Sequence, residues 1–89
     1  MRKRVLSDNR MGLPAPQERY EKLRLLLAKA REESGLTQVE LAEKLERPQT
    51  FVSKIERGVR GVDVIEFIEI AKAMGLDPDK FIKKLDSSE

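Results

Sequence analysis

Four polar side chains follow Pro48 within two turns of a predicted helix: Gln49, Thr50, Ser53 and Lys54. At 3.6 residues per turn they fall on one side of that helix, toward its N-terminal end. Amide, hydroxyl and ammonium groups match the donors and acceptors on base edges in the major groove of DNA, and a glutamine can bond two atoms of one adenine. The pattern therefore favours base recognition, with an ordinary solvated helix face as the alternative.

Three arginines flank this polar stripe: Arg47, Arg57 and Arg60. They belong to a basic segment, residues 44–61, whose five basic and two acidic residues give a charge of +3, whereas residues 62–89 carry −3 and the whole chain +2. Positive charge beside a groove-reading helix is suited to binding DNA phosphates. Arg57 is the strongest candidate for such a contact, and for Arg60 a phosphate contact and a solvated side chain stay equally open.

The composition excludes several kinds of chemistry. The chain has 89 residues and no cysteine, histidine or tryptophan. Zinc, haem and iron–sulfur sites therefore lack their usual ligands, and Cys–His or Ser–His catalysis is unavailable. The carboxylates fall on separate helix faces, so we expect no metal, no cofactor and no enzymatic activity. We also expect a cytoplasmic protein with no membrane span, no ligand-sensing domain and no small-molecule ligand.

Periodicity and capping signals predict the elements that position these side chains. The first helix begins near Glu18, carries apolar residues at helical spacing through Ala30 and stops at Gly35. The second begins with Thr37 as its N-cap, and Glu40 three residues later completes a capping box.

Proline, glycine and aspartate bound the remaining helices. Pro48 suits the first turn of the third helix, and Gly58 ends it. Asp63 can cap a fourth helix, and Pro78 opens a fifth. Residues 1–17 are polar and interrupted by proline and glycine, so we expect an irregular N-terminal arm in front of an all-α, five-helix domain.

Residues 20–75 resemble the helix-turn-helix domains of lambdoid phage repressors and Cro, which are grouped with bacterial regulators of the xenobiotic-response-element type. The resemblance rests on four stretches: Gly35-Leu-Thr-Gln38, Glu40-Leu-Ala-Glu-Lys-Leu45, Gln49-Thr-Phe-Val-Ser-Lys-Ile-Glu-Arg-Gly58 and Ile70-Ala-Lys-Ala-Met-Gly-Leu76. It implies a compact repressor-like fold with a DNA-binding domain over 18–76 and the helix-turn-helix at about 37–57. It also implies that Thr37 and Gln38 contact DNA phosphate and that the outer positions of the third helix read bases.

Two positions depart from the family pattern. Glu46 stands in the turn where the family usually has glycine. Either it keeps a left-handed backbone, at a cost of about 1 kcal/mol, or the turn is reshaped. Phe51 stands where a small hydroxyl residue is common, and three roles stay open for it: contact with a thymine methyl or sugar, cover by the arm, and burial in the core.

The apolar surface of the C-terminal helices predicts a two-fold homodimer. The fourth helix is apolar over more of its circumference than a one-sided surface helix needs, and the fifth is fully amphipathic. We place the interface at the end of the fourth helix and in the segment 77–89, at these residues: Ile70, Met74, Phe81, Ile82 and Leu85. The alternative is that the fifth helix packs on its own core. The arm 1–17 is expected either to reach the minor groove or to pack across the dimer.

Together these features predict a sequence-specific transcriptional regulator that binds double-stranded DNA, and a repressor on a two-fold operator is the expected form. The alternative is a protein-interaction module on the same fold, such as an antitoxin or an adaptor. The acidic C-terminal third and the apolar helices suit that second role.

Overall fold

Five helices and no strand make up the part of the chain that the computed structural model describes, residues 16–87. They are α1 (Pro16–Glu33), α2 (Gln38–Leu45), α3 (Gln49–Glu56), α4 (Val64–Ala73) and α5 (Pro78–Asp86). The all-α, five-helix prediction is confirmed. Residues 16 and 17 belong to α1 rather than to the predicted arm, and the remainder of that arm lies outside the described residues.

Reciprocal side-chain caps set the starts of two helices. At α2, Glu40 N–H donates to Thr37 Oγ1 at 3.0 Å and Thr37 N–H donates to Glu40 Oε1 at 2.9 Å, which is the predicted capping box. At α4, Glu66 N–H donates to Asp63 Oδ1 at 2.7 Å and Asp63 N–H donates to Glu66 Oε1 at 3.1 Å. The sequence predicts Asp63 as a cap, but our prediction did not include the return bond to Glu66.

Left-handed residues end both helices of the predicted DNA-reading unit. Glu46 ends α2 with φ 57° and ψ 42°, so the turn keeps its left-handed residue without a glycine, at a strain of about 1 kcal/mol. Gly58 follows α3 with φ 77°, and a Cβ there would lie 3.1 Å from Arg24 Cδ. The positive φ and the nearby Arg24 side chain therefore both favour glycine at position 58.

The core lies where α1 to α5 meet. Buried apolar side chains from all five helices fill it: Leu27, Ala30, Leu41, Ala42, Phe51, Val52, Ile55, Phe67, Ile70, Ala71, Met74 and Phe81. α2 packs on α3 and α4, and α1 packs on α3 and α5. Ala42 is 2% exposed in α2, and its small side chain allows a neighbouring helix to approach closely.

Three residues predicted for a dimer interface belong to this core instead. Ile70, Met74 and Phe81 are only 3%, 7% and 4% exposed. The Phe81 ring stacks on Phe67, with 5.3 Å between the ring centroids, and so joins α5 to α4. The prediction is wrong for these three because the apolar surfaces of the two C-terminal helices pack against their own chain.

Other apolar side chains of the same two helices stay at the surface. Val64 and Ile65 of α4 are 72% and 64% exposed. On α5, Ile82 is exposed and Leu85 is half-buried. All four side chains are accessible to a partner.

Candidate nucleic-acid interface

α3 presents a polar outer side and buries the opposite one. The predicted base-reading residues lie on the outer side, with Gln49, Thr50 and Lys54 exposed and Ser53 half-buried. Val52 and Ile55 anchor the inner side in the core. Ser53 Oγ donates only a long bond of 3.4 Å, to the Thr50 carbonyl, so its hydroxyl is available to another partner.

A chain of side-chain hydrogen bonds fixes Gln49 at the start of α3. Gln49 Nε2 donates to Gln38 Oε1 at 3.2 Å, and Gln38 Nε2 donates to Glu56 Oε1 at 2.8 Å. Glu56 in turn binds Arg31, whose Nε lies 2.6 Å from Glu56 Oε2 and whose Nη2 lies 3.1 Å from Oε1. We call Gln38, Gln49, Glu56 and Arg31 the amide network.

The chemistry of Glu56 orients both amides. An ionised carboxylate only accepts hydrogen bonds, so Gln38 must turn its NH₂ group toward Glu56 and its carbonyl oxygen toward Gln49. Gln49 must then donate its own NH₂ group to Gln38. This leaves Gln49 with a free carbonyl oxygen and one more N–H, the acceptor and donor that pair with adenine N6 and N7.

α1 holds the far end of the amide network. The Arg31 and Glu56 side chains are only 13% and 10% exposed, and Arg31 Nη1 also donates to the Leu36 carbonyl at 2.8 Å. The hydrogen bond to Glu56 is the main reason that the pKa of Arg31 is raised. A second α1 arginine, Arg24, donates to the Glu56 backbone carbonyl at 2.9 Å, as suits a cation at the C-terminal end of a helix.

On another side of α3, two arginines cover Phe51. The guanidinium carbons of Arg47 and Arg60 lie 4.3 and 4.6 Å from the centre of the Phe51 ring. Phe51 itself is 8% exposed, so core burial is the one of its three predicted roles that the structure shows. Cations at this distance from a ring are attracted by its electrons.

Glu66 neutralises part of this arginine pair. Its carboxylate oxygens accept from Arg60 Nη1 at 3.0 Å and from Arg60 Nη2 at 3.1 Å, whereas Arg47 Nη1 is 3.7 Å away. The hydrogen bonds from Arg60 are the main cause that holds the pKa of Glu66 below its usual value. We call Arg47, Phe51, Arg60 and Glu66 the guanidinium cluster.

The predicted phosphate contacts differ in how far the protein already engages them. The side chain of Arg57 is exposed and forms no hydrogen bond or ion pair within residues 16–87, and the same holds for Lys54 of the predicted base-reading set. Arg60 is bound by Glu66, and Arg47 is supported by the ring beneath it without a hydrogen bond among the described residues. Thr37 keeps its O–H as a donor because its oxygen serves as the acceptor of the α2 cap.

Our sequence predictions missed three charged residues of the site: Arg31, Glu56 and Glu66. Arg31 and Glu56 each follow a core residue, Leu27 and Val52, by four positions in the same helix. Residues four apart share a helix face, so this spacing is a signal that both charges point inward. The signal for Glu66 is its place three residues after a capping aspartate.

Residues 16–87 contain no cluster of acidic side chains that could hold a metal ion. No helix among them is long and apolar enough to cross a membrane.

Comparison with known proteins identifies the domain. A family model described as helix-turn-helix matches residues 27–81, more than half of the chain. The chain belongs to the Cro/C1-type helix-turn-helix family. The predicted resemblance is therefore confirmed, and membership of this family makes the protein a DNA-binding transcriptional regulator.

Named relatives agree with this helix-turn-helix assignment. The chain is 34% identical, over 61 residues, to the HTH-type transcriptional regulator y4dJ of Sinorhizobium fredii. The aligned residues cover 68% of this chain and 79% of the relative. An XRE-family-like protein from Pseudomonas syringae pv. tomato superposes with a TM-score of 0.75 at 47% identity, over 79% of this chain and 85% of the other.

The restriction-modification controller protein C.Esp1396I also has this helix-turn-helix fold. It is known as a tetramer in complex with its natural 35-base-pair operator, and that structure superposes with a TM-score of 0.70 at 29% identity. The match covers 76% of this chain and 90% of the controller chain.

Proposed function

We propose that this helix-turn-helix protein is a cytoplasmic repressor that binds a two-fold DNA operator as a homodimer and reads bases with the outer side of α3. The amide network carries the proposal. It holds Gln49 exposed at the start of α3 with one acceptor and one donor unused. A glutamine held in advance loses less side-chain entropy when it bonds an adenine.

The base-reading set on α3 consists of Gln49, Thr50, Ser53 and Lys54. Gln49 suits adenine, and the Thr50 methyl suits the methyl group of thymine. Ser53 and Lys54 offer a hydroxyl and an ammonium group to neighbouring base edges. All four share the side of α3 that faces away from the core.

The phosphate-binding set surrounds α3. Arg57, at the C-cap of α3, is an exposed cation that no carboxylate of residues 16–87 binds. Arg47 is supported on the Phe51 ring, while Thr37 and Gln38 stand at the N-terminal end of α2, where free N–H groups favour an anion. Arg60 is not in this set because Glu66 already engages its guanidinium group.

The apolar side chains at the surface of α5 support a homodimer. A single module reads few base pairs, and two modules one helical turn apart, about 34 Å, read a two-fold operator. Ile82 and Leu85, in the predicted dimerisation segment 77–89, are the members of our predicted interface that remain at the surface. The tetrameric controller protein on its operator is a relative that binds DNA as an oligomer.

Selection from random duplexes followed by binding measurements tests the proposal. On the selected sequence, Gln49→Ala should cost about 1–3 kcal/mol, with little effect on random duplexes, because it removes a base contact. Arg57→Ala should weaken binding to all duplexes alike and lower the salt slope by about 1. Affinity that stays flat between about 50 and 200 mM salt would contradict the proposal.

The oligomeric state needs a separate measurement. Light scattering at tens of micromolar should give the mass of two chains, and Ile82→Asp should shift it toward one. A wild-type monomer would contradict the dimer while leaving base reading by α3 intact.

A protein-interaction module, such as an antitoxin or an adaptor, is the second candidate. The exposure of Val64 and Ile65 at the start of α4 favours it, since large apolar side chains exposed together mark interaction sites. Co-purification of one stoichiometric protein, together with no binding to any duplex, would select this candidate over the repressor.

A further inference from the structure

Glu66 holds its carboxylate against Arg60 from several directions. One oxygen, Oε1, accepts from Arg60 Nη1 at 3.0 Å and from the Asp63 N–H at 3.1 Å, and the other accepts from Arg60 Nη2 at 3.1 Å. The side chain of Glu66 is only 11% exposed. The capping box thus fixes the same carboxylate that binds the arginine.

Arg60 already uses the two terminal nitrogens with which it would bind a phosphate. Both terminal nitrogens, which form the fork of a bidentate phosphate contact, donate to Glu66. Nη1 also donates to the Gly61 carbonyl at 3.1 Å. A phosphate could use this fork only by displacing the carboxylate.

Arg47 lies in the same cluster with its donors unused. Its Nη1 is 3.7 Å from Glu66, beyond hydrogen-bonding distance, and its side chain is 38% exposed. The Phe51 ring, 4.3 Å from the guanidinium carbon, restricts where the group can lie. Arg47 is therefore placed by the cluster and still able to donate to an anion.

We propose that Glu66 withdraws Arg60 from contact with DNA, leaves Arg47 as the phosphate ligand of the guanidinium cluster, and thereby limits nonspecific affinity. The inference rests on the proposed DNA-binding function. Glu66 is a specificity-determining residue that acts through Arg60, and it lowers the binding to random duplexes that competes with binding to the operator.

Salt dependence measures this withdrawal directly. Each phosphate that a cation neutralises adds about 0.9 to the slope of log affinity against log salt concentration. In the wild-type protein Arg60 should contribute little to that slope. Glu66→Gln should free Arg60 and steepen the slope by about 0.9 on a random duplex, while Gln still serves as the third residue of a capping box.

The experiment compares Arg60→Gln in two backgrounds, wild type and Glu66→Gln, by fluorescence anisotropy on one random duplex. We expect Arg60→Gln to change the slope by less than about 0.3 in the wild-type background and by about 0.9 in the Glu66→Gln background. Glu69→Gln is the matched control, because it removes an exposed charge from the same helix. Arg60→Gln in the Glu69→Gln background should behave as in the wild type.

Several results would overturn the inference. If Arg60→Gln lowered the salt slope by about 0.9 in the wild-type background, Arg60 would already be a phosphate ligand there. If it changed the salt slope in neither background, Arg60 would lie away from DNA. Should Glu66→Gln fail to fold, Glu66→Ala replaces it as the second background, and the same two criteria apply. Failure of every variant and of the wild type to bind any duplex would instead refute the proposed function itself.

Discussion

The amide network and the guanidinium cluster both include residues of α3, but their carboxylates, Glu56 of α3 and Glu66 of α4, have different effects on the groups around them. In the network, Glu56 cancels the charge of Arg31 and uses its remaining acceptor capacity to orient Gln38. In the cluster, Glu66 cancels Arg60 and leaves Arg47 as a net positive charge over an aromatic ring. The first arrangement presents neutral groups of fixed direction, and the second presents charge.

This difference separates the two requirements of DNA recognition. Base edges are distinguished by the positions of donors and acceptors, which a neutral, oriented amide can match. Phosphates are bound by charge, which carries no sequence information. Under the proposed function the two tasks belong to different sides of α3, so substitutions should affect them separately.

The largest expected effect comes from removing the Phe51 ring, on which the two arginines of the guanidinium cluster lie. Phe51→Ala should lower the free energy of unfolding by about 3–5 kcal/mol, because Phe51 is 8% exposed and its loss leaves a cavity. Urea denaturation measures this loss. Phe51→Leu, which keeps most of the apolar volume, should cost much less, and equal losses for both variants would show that the contact with the arginines matters more than packing.

Removing Arg31 from the amide network should lower the free energy of unfolding by somewhat less. Arg31→Met leaves Glu56 with a poorly exposed and unpaired charge, so we expect a loss of about 3 kcal/mol in urea denaturation. The exposed pair of Glu21 and Arg24 provides the control, since Glu21→Gln should cost less than about 1 kcal/mol. A similar cost for Arg31→Met and Glu21→Gln would mean that the Arg31–Glu56 pair stabilises the protein no more than an exposed pair does.

A substitution in the turn between α2 and α3 should raise the free energy of unfolding instead of lowering it. Glu46→Gly should raise the free energy of unfolding by about 0.5–1 kcal/mol, because glycine adopts φ 57° without the strain of a side chain. Glu46→Ala removes the same charge and keeps the strain, so it should bring no gain. A gain from alanine as large as that from glycine would assign the effect to charge.

The smallest effect is a pH dependence of the guanidinium cluster. Because the pKa of Glu66 is lower in the folded protein than the ordinary value of 4.5, its contribution to stability is present above that pH and is lost as the pH falls through the folded value. The stability difference between wild type and Glu66→Gln should therefore shrink between pH 6 and strongly acidic pH. A difference that stays constant over that range would exclude ionised Glu66 as its source.

The helices and the polar outer side of α3 could be predicted from the sequence because their signals are local. The Thr37–Glu40 box and the residues at Pro48 and Gly58 are separated by only a few positions. Arg31 and Glu56 are 25 residues apart, and their pairing depends on how α1 packs on α3. Spacing places each charge on an inward face but does not say which opposite charge it meets.

The apolar pattern of the C-terminal helices was ambiguous for a related reason. Periodicity shows that a helix has an apolar side, but a chain's own core and a second chain bury that side equally well. Ile70 and Phe81 are covered by their own chain, whereas Val64 and Ile82 are not. The sequence leaves the role of Phe51 open in the same way, and the structure shows it buried, with two arginines over its ring.

The coupling between Gln38 and Gln49 on operator DNA tests the central claim most directly. The operator is the sequence selected by the wild-type protein, and the measurement is a double-mutant cycle of Gln38→Ala and Gln49→Ala in binding affinity. If Gln38 orients Gln49 for base reading, the two substitutions should be coupled by about 1 kcal/mol or more, so that Gln49→Ala costs clearly less affinity in the Gln38→Ala background than in the wild type. Additive effects, within about 0.5 kcal/mol, would contradict the claim that the amide network prepares α3 to read DNA.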